Sequence, residues 1–580
     1  MIYSCDFETE VNIDRTYIWA WAICEVGNVK NIEIGNNMES FMEYIFKLKS
    51  PTLYFHNLKF DGEFIIYWLL KNDFKLAETK DEVKEKTFTT LISDKGFFYE
   101  IDIYLTNKGK HCKKIKILDS LKVLPMSVKE IAKAFALPIS KLEIDYNLQR
   151  GENHIFTKEE IDYIKNDVKI VAMALEELFK QNLNKMTTGS NALNEYKILM
   201  GKKNFERTFP PPLYDSDIRQ AYRGGFTYLN PKYSSLDVGQ GIVLDVNSLY
   251  PSVMYYFPLP YGEGRYFEGQ YKEDKLYNLY IQMLGCRFEL KKDKIPTIQL
   301  KHSLAFMPTE YLTSSKDEYV VLCLSNIDLK LFFEHYDVYE IEYYSGWKFK
   351  STVGLFKNYI DKWNSIKIEA TLNKNTGLRA IAKLMLNSLY GKFATNPKVC
   401  SKFPYLEDDI VKYKTGEIEN REPIYIPIGI FVTSWARYKT ITSAQKVYDR
   451  FIYADTDSLH LEGNEIPSEL EISDTKLGAW KLESEFIRAR FIRQKCYIED
   501  TLSSEDKINK FLADNPDLKM LVNYSTKSIM KITCAGMPSS CYKNVTWDNF
   551  RIGNSYNGKL QINHTKGGIV FTECSHTLRE

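Results

Sequence analysis

The alternation of apolar and polar residues around position 455 predicts a β-hairpin with acidic side chains at its tip. Residues 450–454 and 459–461 are mostly apolar or β-prone, and a short polar cluster separates them. Asp455 and Asp457 are two positions apart, so their side chains leave the same face of an extended backbone. Two such carboxylates repel each other unless a cation lies between them. The alternative is a solvated Asp-Thr-Asp turn, which a second acidic strand elsewhere would disfavour.

A buried strand over residues 241–246 supplies that second acidic strand, because it carries Asp245 near its end. Carboxylate oxygens are the ligands that Mg²⁺ prefers, and a pair of such ions is typical of phosphoryl chemistry. We therefore expect Asp245 and Asp457 to hold two Mg²⁺ ions, with Asp455 as an auxiliary acid. The carbonyl oxygen of Val246 is expected to complete one coordination shell.

A second acidic site is predicted near the N-terminus. Residues 1–7 form an apolar run typical of a buried strand, with Asp6 and Glu8 on one face. Asp61 follows the next buried strand, near the start of a helix predicted over residues 63–70. Strands mixed with helices indicate an α/β domain.

Apolar periodicity predicts a further helix over residues 158–179, in which Tyr163 and Asp167 share one face because they are four positions apart. Asp167 would then be the fourth carboxylate of the first domain. Taken singly, these acids are more typical of unrelated surface residues; the alternative is that together they are the ligands of a two-metal site.

Two further segments carry candidate binding residues. The helix predicted over residues 377–393 places Lys383, Asn387 and Tyr390 on one face, although an ordinary amphipathic helix also fits. The second segment, residues 222–225, combines an aromatic residue, an arginine and two glycines. Glycine permits close backbone approach and arginine binds phosphate, although an ordinary turn is the alternative.

Composition bounds the class of protein. A chain of 580 residues with 44% hydrophobic and 26% charged residues is expected to form several globular domains. The net charge of +1 favours no particular partner, so a nucleic-acid enzyme would have to segregate its basic residues. The ten cysteines show no CxxC pair or metal-like spacing, which is typical of reduced cytosolic thiols. No signal peptide or membrane-spanning run is present, so we expect a cytoplasmic protein without a membrane partner.

The order of these motifs is specific enough to indicate a family. The N-terminal acids resemble the DEDD exonucleases of the tyrosine-containing kind, and the later motifs resemble the B-family DNA polymerases, in particular the protein-primed subgroup. The resemblance covers essentially the whole chain. It rests on Asp6-x-Glu8, Asn57-x₃-Asp61, Tyr163-x₃-Asp167, Tyr222-Arg223-Gly224-Gly225, Asp245-x₂-Ser248-Leu249-Tyr250-Pro251, Lys383-Leu384-x₂-Asn387-Ser388-x-Tyr390-Gly391, Thr433-Ser434-Trp435-Ala436-Arg437, Tyr453-x-Asp455-Thr456-Asp457-Ser458 and Lys495-Cys496-Tyr497.

The resemblance implies a role for each residue of the first site. Asp6, Glu8, Asp61 and Asp167 would bind two Mg²⁺ ions, with Mn²⁺ as a substitute, while Tyr163 orients the attacking water and Lys141 assists. A frayed single strand would be held by His56, Asn57, Phe60 and Phe64, although packing is an equal alternative for the two phenylalanines.

The resemblance also implies roles in the second site, which would bind two further Mg²⁺ ions. Tyr250 would discriminate against ribose. The triphosphate would contact Lys383 and Arg379, and the nascent base pair would contact Asn387 and Tyr390. Whether Lys367 or Lys374 also contacts the triphosphate is left open. Primer and template would contact Tyr222, Arg223, Gly224, Gly225, Ser248, Arg437, Lys495 and Tyr497.

The predicted fold class is α/β and α+β multidomain: an RNase H-like DEDD exonuclease domain, then a right-hand polymerase with palm, fingers, thumb and two insertions. The expected divisions are 1–187 (exonuclease), 188–256 (first part of the palm), 257–353 (insertion 1, contacting a terminal protein and duplex), 354–393 (fingers), 394–423 (insertion 2, for strand displacement and processivity), 424–525 (second part of the palm) and 526–580 (thumb).

By this resemblance the expected function is template-directed DNA synthesis with 3′–5′ proofreading, protein-primed, processive and strand-displacing, on a linear viral or plasmid-like genome. Expected partners are primer–template DNA, single-stranded DNA, dNTPs and a terminal protein, with the chain as a monomer or a heterodimer with that protein in the cytoplasm of a bacterial host. Alternatives are a nuclease that has lost synthesis, a non-catalytic nucleic-acid-binding factor and an RNA polymerase. Intact acids at 245, 455 and 457 disfavour the first. The second would not need six or seven carboxylates, which repel phosphate, and Tyr250 disfavours the third.

Overall fold

The computed structural model describes residues 1–11, 15–108, 111–145, 148–151, 153–299 and 310–579. In these ranges the strands form an eight-stranded, a nine-stranded and a four-stranded sheet, and three two-stranded pairs. No helix among the described residues is both long and apolar enough to cross a membrane.

The first 180 residues form an α/β domain around the eight-stranded sheet, whose strand order is β3-β2-β1-β4-β8-β7-β6-β5. The first strand runs parallel to β4, and the helix that follows β4 returns over the sheet, which brings two acidic segments together. The elements are β1 (Ile2–Val11), β2 (Thr16–Glu25), β3 (Asn28–Gly35), α1 (Met38–Lys47), β4 (Thr52–Phe55), α2 (Leu58–Lys71), β5 (Lys75–Leu76), β6 (Thr87–Ile92), β7 (Phe98–Lys108), β8 (His111–Asp119), α3 (Val128–Ala134) and α4 (Lys158–Lys180).

Local sequence explains how the two helices beside this first site begin. A capping box starts α4, because the Thr157 side chain accepts from the backbone of Glu160 and the Glu160 carboxylate accepts from Thr157. Helix α2 begins five residues before its predicted start, after Asn57 turns the chain with a left-handed φ of 73°. Asp61 therefore lies in the first turn of a helix rather than ahead of it.

The middle of the chain alternates between helices and an independent sheet. Residues 257–353, the predicted first insertion, contain the four-stranded sheet β12-β17-β13-β16, and residues 300–309 lie outside the described ranges. The elements are α5 (Thr188–Met200), α6 (Lys202–Thr208), α7 (Asp215–Ile218), β9 (Thr227–Leu229), β10 (Asp237–Val238), β11 (Gly241–Val246), α8 (Leu249–Tyr256), β12 (Leu259–Glu268), β13 (Leu279–Leu290), β14 (Ile298–Gln299), β15 (Tyr311–Leu312), β16 (Val320–Ser325), α9 (Asn326–His335), β17 (Tyr336–Thr352), α10 (Lys357–Leu372) and α11 (Thr376–Phe393).

The last third completes a nine-stranded sheet of order β24-β25-β23-β22-β11-β21-β20-β9, with β10 beside β22. The predicted start of the thumb at residue 526 is wrong, because β25 pairs with β23 along its whole length and belongs to this sheet. The elements are β18 (Lys398–Glu407), β19 (Ile410–Asn420), α12 (Ile426–Lys446), β20 (Phe451–Asp455), β21 (Ser458–Glu462), β22 (Trp480–Arg493), β23 (Cys496–Leu502), α13 (Glu505–Asp514), β24 (Val522–Asn523), β25 (Ser528–Cys534), β26 (Ser555–Thr565) and β27 (Gly568–Thr577).

Candidate active sites

The predicted acidic hairpin is present as β20 and β21, with Asp455 opposite Ser458. Its tip is tighter than expected, because Thr456 has a left-handed φ of 62° and the Asp457 N–H donates to the Asp455 carbonyl at 2.7 Å. The backbone between the acids is therefore turned and not extended, so strand alternation does not set their directions. Instead, the Asp455 carboxylate pairs with the Lys495 ammonium at 2.7 Å.

Asp245 lies beside this tip because β11 pairs with β21, Asp245 opposite Ser458. The Val246 N–H donates to the Asp457 carbonyl at 2.8 Å, which fixes the hairpin tip against β11. Burial and the charge of Asp457 raise the pKa of Asp245 to about 7, and burial also raises the pKa of Asp457. The chain has thus placed Asp245 where burial and the charge of Asp457 disfavour its ionisation.

A third acid, Glu483, joins them and was not predicted from sequence. It raises the pKa of both Asp245 and Asp457, after burial and other effects. The register between β11 and β22 shifts here: Val243 pairs with Ser484 but Leu244 with Leu482, so Glu483 is the extra residue of a β-bulge. A bulge redirects one side chain, and the local sequence around this glutamate contains no signal that predicts the bulge.

These acids line one wall of an open cavity of about 440 Å³. The chemistry fits Mg²⁺, because four carboxylates line one space, two of them (Asp245 and Asp457) with raised pKa values, and a cation would relieve their repulsion. In the described part of the chain, no three His, Cys, Asp or Glu side chains are already gathered in metal-ligand geometry. Mg²⁺ sites that use one or two carboxylates and complete their shell with substrate and water do not require such a cage. The lining residues are Val243, Asp245, Asp455, Thr456, Asp457, Ser458, His460, Glu483, Lys495, Tyr497 and Lys531.

The segment 222–225 covers the hairpin tip, and glycine is required in it. A Cβ at Gly225 would lie 2.6 Å from the Thr456 side chain and 3.0 Å from the Tyr250 hydroxyl. Gly224 is exposed and Tyr222 half-buried, so both stay available to a ligand. Arg223, in contrast, is only 8% exposed and burial lowers its pKa, so its predicted contact with DNA is wrong.

The predicted DNA contact of Arg437 is also wrong, because this side chain is only 2% exposed and supports residues 222–225 from the protein interior. Its guanidinium donates to the Arg223 and Gly224 carbonyls at 2.9 and 2.8 Å. Its other donors reach the buried carboxylate of Asp328, at 2.7 and 3.0 Å. The predicted contact with the DNA backbone is therefore replaced by an internal ion pair that positions the glycine segment.

The predicted binding face of α11 is confirmed as a surface: Lys383 and Asn387 are exposed one turn apart, and Arg379 is exposed one turn before them. Lys367 on α10 belongs to the same group. Burial lowers its pKa most, and the nearby positive charges of Arg379 and Lys383 lower it further. Lys374 lies in the exposed turn between the helices. Lys367 is therefore the lysine that completes the cationic cluster.

Two tyrosines close the other side of this face. Tyr250, in the first turn of α8, stacks on Tyr390 of α11 with ring centroids 4.2 Å apart. Ser248 immediately precedes α8, with a left-handed φ of 55°. Tyr497 is 5% exposed, stacks on Phe491 and lines the cavity beside Lys495.

The four N-terminal carboxylates also converge. Burial and then Asp167 raise the pKa of Asp6 to about 7, and burial and then Asp6 raise the pKa values of Glu8 and Asp61. The Phe7 N–H donates to Asp61 Oδ1 at 3.2 Å, which ties α2 to β1. The buried Asp167 Oδ1 has no hydrogen-bond partner, so it has a free lone pair and fits a bound metal ion.

Two further residues surround these acids as predicted. Lys141 Nζ lies 3.1 Å from Asp167 Oδ2, and the Tyr163 hydroxyl bonds to Glu8. Both contacts oppose the rise in carboxylate pKa. The site therefore combines clustered acids, one lysine and one tyrosine within a single domain.

Most of the residues expected to hold a single strand are already occupied. His56 uses both ring nitrogens, Nδ1 with Ser120 Oγ at 3.0 Å and Nε2 with the Met126 carbonyl at 2.8 Å. Phe64 is 2% exposed, and Phe60 stacks on Phe571 of β27 with centroids 5.2 Å apart. Packing is thus the correct interpretation for both phenylalanines, while Asn57 remains exposed.

The Phe60–Phe571 stack belongs to a junction of three segments that are distant in sequence. Helix α2 contacts the β18–β19 hairpin and the β26–β27 hairpin, and β19 contacts β26. Lys71 pairs with Asp409 at 2.7 Å, and the Thr16 N–H donates to the Lys566 carbonyl at 2.9 Å. The two hairpins and the first domain therefore close on one another.

Comparison with known proteins agrees with this geometry. Residues 42–158 and 143–475 match the family model described as DNA polymerase type B, organellar and viral. The chain is 46% identical to the DNA polymerase of Bacillus phage B103, covering 100% of this chain and 99% of that protein. Identity to the DNA polymerase of Streptococcus phage Cp-1 is 31%, over 100% and 98%. The solved structure of Phi29 DNA polymerase complexed with primer-template DNA and incoming nucleotide substrates superposes with a TM-score of 0.91 at 44% identity, over 100% of both chains.

Proposed function

Because the chain belongs to the type B DNA polymerases of organelles and viruses, we propose that its two acidic sites divide DNA synthesis and proofreading between them. The family assigns polymerase activity to the chain. The observation that supports the division is the presence of two separate carboxylate groups, one on the eight-stranded sheet and one on the nine-stranded sheet. With two such sites, one protein can remove a misincorporated nucleotide at the first site before synthesis resumes at the second.

The second site adds nucleotides. Asp245 and Asp457, with Glu483 nearby and the Val246 carbonyl, would hold Mg²⁺ or Mn²⁺, which supplies charge stabilisation for the attacking and leaving oxygens. Lys367, Arg379 and Lys383 bind the triphosphate as a row of cations on the two finger helices.

The nascent base pair meets a surface made by α8 and α11. Tyr390 and Asn387 offer an aromatic ring and an amide to it, and the stacked Tyr250 forms the floor beneath the sugar. Lys495, already paired with Asp455, lies where it can support the primer end. Selection of the nucleotide would then depend on the Tyr250–Tyr390 stack, which is already formed without substrate.

The first site removes nucleotides from a 3′ end. Asp6, Glu8, Asp61 and Asp167 would hold the same kind of metal ions, which there activate water for phosphodiester cleavage. The Tyr163 hydroxyl, held by Glu8, orients the water, and Lys141 beside Asp167 stabilises developing negative charge. Asn57 contacts the single strand, since it is the exposed member of the predicted set.

A labelled primer–template incubated with Mg²⁺ tests both assignments together. Extension is expected when dNTPs are present, and shortening from the 3′ end when they are omitted. Extension without any shortening would refute the exonuclease assignment, and shortening without extension would refute the assignment of the second site. Replacing Mg²⁺ by Ca²⁺, which binds carboxylates with looser geometry, is the matched control and should suppress both reactions.

Sugar discrimination gives a prediction for Tyr250. Replacing Tyr250 by valine removes the ring beneath the sugar, so ribonucleotide incorporation should rise about 10–200-fold relative to deoxyribonucleotide incorporation, the range that pocket contacts usually supply. The measurement is single-nucleotide kcat/KM for the two sugars. Tyr256→Val, in the same helix but half-exposed at the surface, is the control and should leave the ratio unchanged. Unchanged discrimination in Tyr250→Val would move the sugar gate elsewhere.

Processive, strand-displacing synthesis is proposed for the β18–β19 hairpin, because it contacts both α2 and β26 and so links the first domain to the β26–β27 hairpin. An enclosing loop slows dissociation without a large contact energy per base. Deletion of residues 396–422 is straightforward to bridge with glycine, because the Arg421 N–H donates to the Pro397 carbonyl at 2.8 Å and the ends are adjacent.

We expect that deletion to shorten the product of a single binding event at least about tenfold and to suppress copying through duplex DNA. Filling a gap of a few nucleotides, which needs no enclosure, should stay within about twofold and serves as the internal control. Copying of long duplex templates at the length of the intact protein would show that the hairpin is not the processivity device.

Priming by a terminal protein is the last element of the proposal. The independent sheet of residues 257–353 offers a surface next to the glycine segment, to which Asp328 and Arg437 connect it. A terminal protein docked there would present its hydroxyl to the second site, with the chain acting as a monomer or in a heterodimer. The relatives come from bacteriophages, so we place the reaction in the cytoplasm of a bacterial host cell.

A further inference from the structure

Two cysteines that neither active site uses face each other at the edge of the nine-stranded sheet. Cys496 of β23 pairs in register with Cys534 of β25. The Ala535 N–H donates to the Lys495 carbonyl at 2.8 Å, so the cysteines occupy a non-hydrogen-bonded position, where opposing side chains are closest. Their sulfur atoms are 3.5 Å apart.

A histidine completes the cluster from a third element. His576 of β27 places Nε2 3.6 Å from the Cys534 sulfur. The environment is dry: Cys496 is fully buried, Cys534 is 7% exposed and His576 is 9% exposed. A ring nitrogen within reach of a thiol can accept its proton.

The two thiols are not equivalent. The hydrogen bond from Cys496 lowers the pKa of Cys534, and the nearby Arg493 acts in the same direction. That same interaction, followed by burial, raises the pKa of Cys496. Burial, followed by Lys559 and Arg493, lowers the pKa of His576, which favours the neutral ring with one nitrogen unprotonated. Cys534 is also the thiol that contacts His576 and the more exposed of the two, which makes it the candidate nucleophile of the pair and Cys496 the resolving thiol.

We propose that Cys496 and Cys534 form a redox-sensitive pair that a small organic disulfide converts into a cross-strand disulfide bond. Cα atoms of a non-hydrogen-bonded pair lie about 4.5 Å apart, inside the range of about 4.4–6.8 Å that a disulfide spans, so the strands need little movement. A metal site fits less well, because the described residues gather no three such ligands around one point.

The chemistry balances as two thiol–disulfide exchanges. The Cys534 thiolate, its proton taken by His576, attacks one sulfur of the oxidant RSSR, forming a mixed disulfide and releasing RS⁻. Cys496 then loses its proton to RS⁻ and attacks the Cys534 sulfur, which breaks the mixed disulfide and releases a second thiolate that takes the proton held by His576. In total two protein thiols are oxidised, one RSSR is reduced and two RSH are formed.

The position of the bond gives it a consequence for stability. Sequence separation between the two cysteines is 38 residues, and the segment between them contains α13, β24 and most of β23 and β25. Closing a loop of this length restricts the unfolded chain and stabilises the folded segment. Oxidation should therefore raise the unfolding temperature of the C-terminal part of the molecule without a change in fold.

The test uses the full-length protein, reduced and then exposed to 2-hydroxyethyl disulfide, a small uncharged oxidant. Free thiols are blocked with iodoacetamide under denaturing conditions, and a non-reducing digest is analysed by mass spectrometry. We expect a crosslinked peptide that joins residues 496 and 534. Cys5 and Cys24 are the internal control, because both are buried on paired strands but one register position apart, so they face opposite sides and should be recovered alkylated.

Variants identify the order of events. Cys496→Ser should accumulate the mixed disulfide on Cys534, whereas Cys534→Ser should yield no adduct at Cys496, and either change should cancel the rise in unfolding temperature on oxidation. His576→Phe, which keeps a ring of similar size, should slow formation of the crosslink at neutral pH. Full alkylation of both cysteines after oxidation, or a wild-type reaction that stops at the mixed disulfide, would overturn the proposal.

Discussion

Replacing Asp457 by alanine is expected to abolish nucleotide addition while the 3′ end of a single strand is still degraded. Asp457 is one of two raised-pKa carboxylates that face the polymerising cavity, and its removal takes away a ligand of the ions that stabilise the transition state. A loss of at least about 10²–10³-fold in kcat is expected, which is typical of one electrostatic group aimed at a developing charge. The measurement is primer extension under single-turnover conditions.

The separation of the sheets explains why the second activity should survive. Asp457 lies in a hairpin turn of the nine-stranded sheet, whereas the four N-terminal acids belong to the eight-stranded sheet or its helices. Asp449→Ala is the matched control: the same substitution, at an exposed acid just before the same hairpin, should change neither activity. If folded Asp457→Ala protein lost degradation as well, the two-site model would be wrong.

Replacing Asp6 and Glu8 together by alanine is expected to have the opposite outcome. Both acids lie on β1 within the cluster that raises the pKa of Asp6 to about 7, so the double change removes half of its carboxylates. Degradation should fall by at least about 10²–10³-fold, extension should persist, and misincorporated nucleotides should accumulate. Excision of a mismatched 3′ terminus and the error rate of a copied reporter gene measure the two effects.

The unfolding temperature of this double variant must be measured separately, because removing two buried acids relieves the repulsion among the four carboxylates. The variant should unfold at the same or a higher temperature than the wild type. Asp81→Ala with Glu82→Ala, two exposed acids in the same domain, should leave excision and fidelity unchanged. An unaltered error rate in a variant that no longer degrades DNA would separate nuclease chemistry from proofreading.

Local pattern predicted those parts of the two sites that depend on neighbouring residues. The hairpin at 455, the strand that carries Asp245, and helices α4 and α11 each follow from apolar periodicity and turn residues within about twenty positions. Of the acids proposed as metal ligands, Asp245, Asp457 and Asp167 come from these segments, whereas Asp6, Glu8 and Asp61 lie on β1 and α2. The repulsion expected between acids two positions apart agrees with the raised pKa values of Glu8 and Asp457, where burial is the larger cause. The extended backbone expected between Asp455 and Asp457 was wrong, because Thr456 turns the chain.

What the sequence did not predict depends on contacts between distant segments. Burial of Arg437 results from Asp328, 109 positions away, and no local rule distinguishes an arginine that binds phosphate from one that pairs inside. Phe60 and Phe64 are covered by the β26–β27 hairpin from the far end of the chain. Glu483 enters its site through a register shift, and β25 joins the large sheet through pairing. Each of these errors arises from tertiary contacts that a local sequence pattern does not show.

The junction between α2 and the two hairpins also governs how a template without free ends can be taken up. In the proposed arrangement, a covalently closed circle enters only when the junction opens, whereas a linear molecule can be threaded from its terminus. An exposed ion pair such as Lys71–Asp409 contributes about 0–1 kcal/mol, and the Phe60–Phe571 stack about 0.5–1.5 kcal/mol beyond its burial. Opening must also expose Val411 and Ile569, which are buried in the core of the first domain. Circles should therefore be captured more slowly than linear templates, more slowly still as salt is removed, and released slowly once captured.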